Sequence, residues 1–133
     1  THSKEKTIWE EAGYDYELVQ SAGSWYIEAG SGMGPTLMMA NEKQAYTFTD
    51  MGTYLSYKRK LQLVPMVDKG DVLLNIYSAI AINPKNIPVT KIDMVNNLIS
   101  FLTSPEIQEL IGSYGVEEYG VPLFTPYAGA EPE

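Results

Sequence analysis

The stretch Ile76-Tyr77-Ser78-Ala79-Ile80-Ala81-Ile82 is nearly unbroken in its apolarity and is bounded by Asn75 and by Asn83-Pro84. A short apolar run between turn residues is the pattern of a strand buried on both faces of a sheet. Upstream, Leu61–Val67 reads as another strand, as does Ala45–Thr49, where small or aromatic residues alternate with threonines. Trp25-Tyr26-Ile27 is aromatic and β-branched and predicts a further short strand.

Helical patterns separate these segments. Ser3–Ala12 places Ile8, Trp9 and Ala12 on one face, with Ser3 as a candidate cap and Gly13 as the stop. Pro35 suits the first position of a helix running through Leu37, Met38 and Met39 to Lys43, because its missing N–H has no helical partner there. Thr49 or Asp50 caps a short helix through Tyr54, Leu55 and Tyr57. Downstream, Lys91–Leu102 carries Ile92, Val95, Leu98, Ile99 and Leu102 at helical spacing. Ser104-Pro105-Glu106 then starts a last helix, through Ile107, Leu110 and Ile111 to Gly115. Strands alternating with helices predict an α/β fold.

Composition narrows the function classes. The 133 residues, 44% hydrophobic and 20% charged, suit one ordinary globular domain, with disorder expected only in the Pro-, Gly- and Glu-rich end Tyr127–Glu133. A net charge of −8 and the lack of a basic stripe argue against nucleic-acid binding, yet leave room for a small anion held by local donors. No cysteine is present, which removes thiolate metal sites, cysteine nucleophiles and disulfides together. No apolar run approaches the ~18 residues that span a bilayer. Thr1 abuts a helical pattern and no leader pattern precedes it, so the natural N-terminus is expected to have been removed.

Few residues suggest catalysis. His2 is the single histidine and no nucleophile elbow accompanies it; a polar residue in the first turn of a helix explains it better than a triad does. The acid pairs Glu10-Glu11 and Glu117-Glu118 are adjacent, so their side chains diverge instead of converging on a bond. The ten tyrosines are scattered, and are expected to serve core and surface. The turn Gly30-Ser31-Gly32-Met33-Gly34 lacks the spacing of either nucleotide fingerprint. It offers bare N–H groups at a helix start, which bind anions, or simply a tight turn that needs glycine; spacing alone favours neither. Thr47, Thr49, Asp50 and Thr53 gather where a strand ends and a helix begins, a place where α/β sheets bind ligands, though alternate threonines and an Asp cap are also ordinary there.

Three motifs in order carry a family resemblance: Ser24–Gly34, Ala40-Asn41-Glu42-Lys43, and Ala45–Tyr54. Together with Thr1-His2-Ser3-Lys4-Glu5 at the start and Phe101–Glu106 with Leu123-Phe124 near the end, they resemble the tungstate-binding solute receptors of ABC importers, in the C-terminal part of that family's chain. The resemblance implies part of a type II periplasmic-binding-protein fold. Residues 1–75 would form most of the second lobe, 76–83 a crossing strand, and 84–133 the helices and tail that return to the first lobe.

It further implies an extracytoplasmic, non-enzymatic receptor for tungstate or molybdate. The ligand is the metal oxyanion itself, with no cofactor and no other metal, and the importer's membrane subunits are partners. Thr1 and the segment Thr49, Asp50, Met51, Gly52 and Thr53 would face the ligand, with Ser31, Gly32 and Gly34 lining or shaping the cleft. Where the family pattern has an arginine, this chain has Met51, which cannot donate a hydrogen bond; either the ligand differs, another cation compensates, or affinity is poor, and altered or weakened oxyanion selectivity is the expectation. The family's N-terminal part is also missing from this chain, which leaves Leu98, Leu102 and Leu110 without the first lobe to pack on, so self-association is expected. A regulatory oxyanion sensor of the same fold is the alternative. A phosphate-ester hydrolase is disfavoured, since it needs a base, metal cluster or nucleophile that the sequence does not offer.

Overall fold

The computed structural model describes residues 1–88 and 91–129. It divides into two compact units, Thr1–Asn75 and Ile76–Glu133.

In the first unit, α1 (His2–Glu11) is preceded by Thr1 at the N-cap position. The expected cap, Ser3, lies inside the helix, where its carbonyl accepts a bond from Thr7 Oγ1 at 3.3 Å. The end is as expected. Gly13 takes φ +84°, its N–H reaches Glu10 O at 2.9 Å, and Tyr14 N–H reaches Trp9 O at 2.9 Å. That double closure satisfies two orphan carbonyls and brings the Tyr14 ring against Trp9, with centroids 5.6 Å apart. Helix α2 (Tyr16–Ser21) follows, with the Asp15 carboxylate accepting from Glu17 N–H at 2.9 Å.

Helix α3 (Met33–Lys43) begins after Gly32, in extended backbone at φ −66° and ψ 170°. Pro35 is therefore the third helical residue and not the first. Its missing N–H still costs nothing, since the first four N–H groups of a helix have no internal partner. Gln44 closes α3 in the left-handed region at φ 52°. Helix α4 (Met51–Tyr57) packs on α3, and a 3-10 turn, Lys58–Lys60, extends it. The buried core of this unit is Tyr16, Val19, Leu37, Ala40 and Tyr54. Gly34 permits the close packing of α3 and α4: a Cβ there would lie 2.8 Å from Tyr57 Cζ.

In the second unit, α5 (Ile92–Leu102), α6 (Pro105–Ser113) and α7 (Val116–Tyr119) run in sequence. Ser104 and Pro105 hold the expected N-cap and first positions. The Ser104 hydroxyl turns back to Phe101 O at 2.8 Å and does not cap. Gly115 takes φ +92°, and a Cβ there would meet Leu123 Cγ at 2.6 Å. The tail is tied to α6, with Ala128 N–H donating to Gln108 Oε1 at 3.1 Å. Of the expected irregular end, only Tyr127, Ala128 and Gly129 lie among the described residues. No residue of this unit joins the buried apolar set among the described residues. Ile92, Val95, Ile99 and Leu102 are half-buried, while Leu98 and Leu110 remain exposed.

The expected strands are not formed. Among the described residues no strand occurs, and 25–27, 45–49, 61–67 and 76–82 are all non-helical without ladder partners. The strands of the α/β expectation are therefore not seen among the described residues. A strand exists only when its N–H and C=O groups pair with a neighbour, whereas a helix satisfies its own. Ile80, 83% exposed, and Tyr77, 78% exposed, show an apolar run that suits a sheet and lies outside one.

Candidate functional site

The first turn of α4 holds most of the residues expected to face a ligand. Asp50 Oδ2 accepts the Thr53 N–H at 2.8 Å, and Asp50 Oδ1 accepts from Thr53 Oγ1 at 2.9 Å. Asp50, and not Thr49, is thus the cap, and it has taken both donors that Thr53 could offer an anion. Thr49 Oγ1 makes only a long contact of 3.4 Å with Asp50 O, so its hydroxyl is free to turn elsewhere. The N–H groups of Met51 and Gly52, in the first turn, have no helical partner and remain donors. Met51 is 43% exposed and contributes apolar surface without a donor.

The glycine turn is organised separately. Ser31 Oγ donates to Ala29 O at 3.1 Å, and Thr36 Oγ1 donates to Gly32 O at 2.9 Å. Gly34 touches Tyr57, the last residue of α4. At the helical rise, Met51 and Tyr57 are about 9 Å apart along the axis. Gly34 meets α4 through the far end of the Tyr57 ring, a side chain that can lean back along the helix. Close packing is the role seen for Gly34. Thr1 is exposed, and its carbonyl accepts the Glu5 N–H at 2.9 Å.

Helices α1 and α2 and the segment 25–28 are joined by a network that periodicity did not reveal, and none of the residues expected to face a ligand belongs to it. Tyr26 Oη donates to Glu5 Oε1 at 2.8 Å and lies 3.0 Å from Tyr16 Oη, which in turn reaches Glu28 Oε1 at 3.5 Å. Gln20 Nε2 donates to the same Glu28 oxygen at 2.5 Å. His2 Nδ1 stands 3.2 Å from the other oxygen of Glu5. Burial, then the hydrogen bonds with Tyr16 and Glu5, hold the Tyr26 phenol well above its usual range. Tyrosines expected to be scattered are in part gathered: Tyr16 with Tyr26, and Trp25 with both Tyr26 and Trp9, all as edge contacts. The sequence signal was present in Trp25-Tyr26, which reads as a strand only when its partners are ignored.

A cleft of about 450 Å³ lies beside this network. It is lined by Trp9, Tyr14 and Trp25, by Leu18, Val19 and Ala22, and by Asp15. None of the residues expected to face an oxyanion lines it. Among the described residues no group of three or more His, Asp or Glu side chains is placed to hold a metal ion. No described helix is long and apolar enough to cross a membrane.

Comparison with known proteins agrees with the order of motifs. The PBP superfamily domain profile matches residues 1–106. The chain is 44% identical over 128 residues to tungstate-binding protein TupA of Peptoclostridium acidaminophilum, covering 96% of this chain and 43% of that protein. It is 38% identical over 136 residues to a putative ABC transporter anion-binding protein of Haloferax volcanii, covering 98% of this chain and 38% of that one. Among solved structures, that of the tungstate ABC transporter from Geobacter sulfurreducens superposes with a TM-score of 0.58 at 39% identity, covering 86% of this chain and 46% of the other. The chain spans less than half the length of each. A profile matching most of the chain, with sequence and structural likeness in agreement, establishes that the chain belongs to the PBP superfamily.

Proposed function

We propose that this chain is part of a solute receptor that captures a tetrahedral oxyanion, tungstate or molybdate, for an ABC importer on the outer side of the membrane. The observation that carries the reading is the 44% identity over 128 residues to a tungstate-binding protein. The relatives are named for binding and transport and not for a reaction, which supports a receptor without catalytic activity.

The chemistry fits the task. A dianion stripped of water needs oriented N–H and O–H groups in place of its hydration shell, with closure around it to exclude solvent. The Thr49 hydroxyl and the N–H groups of Met51 and Gly52 are the donors best placed to serve. Thr53 joins them only when Asp50 releases it, and Thr1, Ser31, Gly32 and Gly34 complete the set that the family likeness suggests. In the same reading, residues 1–75 belong to the second lobe of a two-lobed α/β receptor, 76–83 to a crossing strand and 84–133 to helices that lie on the first lobe. The exposed apolar run Ile76–Ile82 supports this, since it has the composition of a strand whose partners lie elsewhere.

Calorimetric titration with tungstate, molybdate, sulfate and phosphate in low-salt buffer tests the proposal. Saturable heat with tungstate or molybdate, and not with sulfate or phosphate, is expected. Equal responses to all four, or heat from none, would overturn it for this chain.

A further inference from the structure

The cleft beside α1 and α2 is chemically unlike an oxyanion site, and it plays no part in the function proposed above. Tyr14 and Trp25 both contact the Trp9 ring, with centroids 5.6 and 6.2 Å away and ring planes inclined at 87° and 67°. In each edge-to-face pair the edge of one ring covers one face of the other, and the remaining faces stay open. Trp25 and Tyr14 keep 60% and 58% of their surface exposed, so aromatic faces remain available at the cleft.

The one charged residue lining the cleft is Asp15. Its Oδ1 accepts the Glu17 N–H, and among the described residues Oδ2 has no hydrogen bond. Aromatic faces carry negative quadrupole potential, and a carboxylate carries negative charge. Both attract a cation and repel an anion. The remaining lining, Leu18, Val19 and Ala22, is aliphatic and suits alkyl groups. A bare metal ion would find too few oxygens here, and a neutral apolar molecule would gain nothing from the carboxylate. The net charge of −8 adds attraction for cations at long range.

We propose that this cleft is a binding site for a small organic ammonium ion, its alkyl groups on the aliphatic lining and its charge shared by the aromatic faces and Asp15. Because the cleft is open to water, each contact is screened, and a dissociation constant on the order of 1–10 mM is expected.

The chain's two tryptophans, Trp9 and Trp25, both line the cleft, so intrinsic fluorescence reports on it directly. Titration with tetramethylammonium chloride, against sodium chloride at equal ionic strength, is expected to shift the emission saturably. Asp15→Asn keeps a capping oxygen for α2 while removing the charge, and is expected to weaken binding at least fivefold with no change in melting temperature. Trp25→Leu should weaken it similarly. A response no different from sodium chloride, or an Asp15→Asn variant that binds like the wild type, would overturn the site. Tighter binding of N-acetyl-arginine amide than of tetramethylammonium would overturn the small-molecule reading in favour of a side chain from a partner protein.

Discussion

Thr53 gives both of its donors to Asp50, its N–H to Oδ2 at 2.8 Å and its hydroxyl to Oδ1 at 2.9 Å. The carboxylate sits at the start of α4 as a built-in anion, on the same donors that an external oxyanion would seek. Asp50→Ala is expected to cost about 1 kcal/mol of stability through loss of the cap, whereas Asp50→Asn keeps the cap and stays within about 0.5 kcal/mol. If the first turn of α4 meets the ligand, Asp50→Asn also raises tungstate affinity severalfold by removing a like charge. Thermal melts and calorimetry on the two variants check both parts.

Met51 follows directly, half-exposed and without a donor. Met51→Arg would add a charge-assisted clamp worth about 1.5–3 kcal/mol, a gain of roughly tenfold to a hundredfold in oxyanion affinity. Calorimetric titration with tungstate measures it, and an unchanged dissociation constant would remove Met51 from the ligand-facing set.

The contact of Gly34 with Tyr57 predicts a clash that can be relieved. Gly34→Ala is expected to push the Tyr57 ring aside and to destabilise the chain by no more than about 1 kcal/mol, since the new methyl lies 2.8 Å from Tyr57 Cζ while alanine gains helix propensity. Adding Tyr57→Leu should recover part of that loss. A double-mutant cycle in urea separates this packing effect from a simple loss of helix start, for which the two substitutions would be additive.

Tyr26 gives the chain an alkaline limit. Its folded phenol is held above the ordinary value, so the folded state keeps a proton that the unfolded state releases. The resulting stabilisation is complete below about pH 10 and declines as pH rises beyond that, while unfolded tyrosine ionises and the folded phenol does not. Tyr26→Phe should flatten the fall in stability between about pH 10 and 12. Equal slopes for the two proteins would mean that the network does not restrain this proton.

The second unit predicts association. Leu98, Phe101 and Leu110 are 56–60% exposed, and none of this unit's described residues joins the buried apolar set. A face of this kind is stabilised by burial against another surface, at about 25 cal/mol per Å². Light scattering is expected to give a mass above the 14.8 kDa of one chain. Leu98→Glu with Leu110→Glu should return it to that value.

Local chemistry determined a good part of this protein from sequence alone. The Gly13 stop, the Asp50 cap, Pro105 at the first turn of α6 and the helical face of α5 all depend on neighbours within four or five residues, which a sequence displays directly. The motifs from Ser24 to Tyr54 likewise carried the family. Helix α2 was legible in principle, since Asp15 before Tyr16–Ser21 is a start signal, but six residues are too few to show a clear helical period.

Only the tertiary structure decided the rest. Glu5 meets Tyr26 across 21 residues, and Gly34 meets Tyr57 across 23, through contacts that no period encodes. The apolar runs at 61–67 and 76–82 show what a strand needs in side chains. Whether they become strands depends on partners for their backbone groups, and among the described residues they have none. The same holds for the candidate site: its residue types were readable, but that Asp50 had already taken the donors of Thr53 is a matter of side-chain geometry at the helix start.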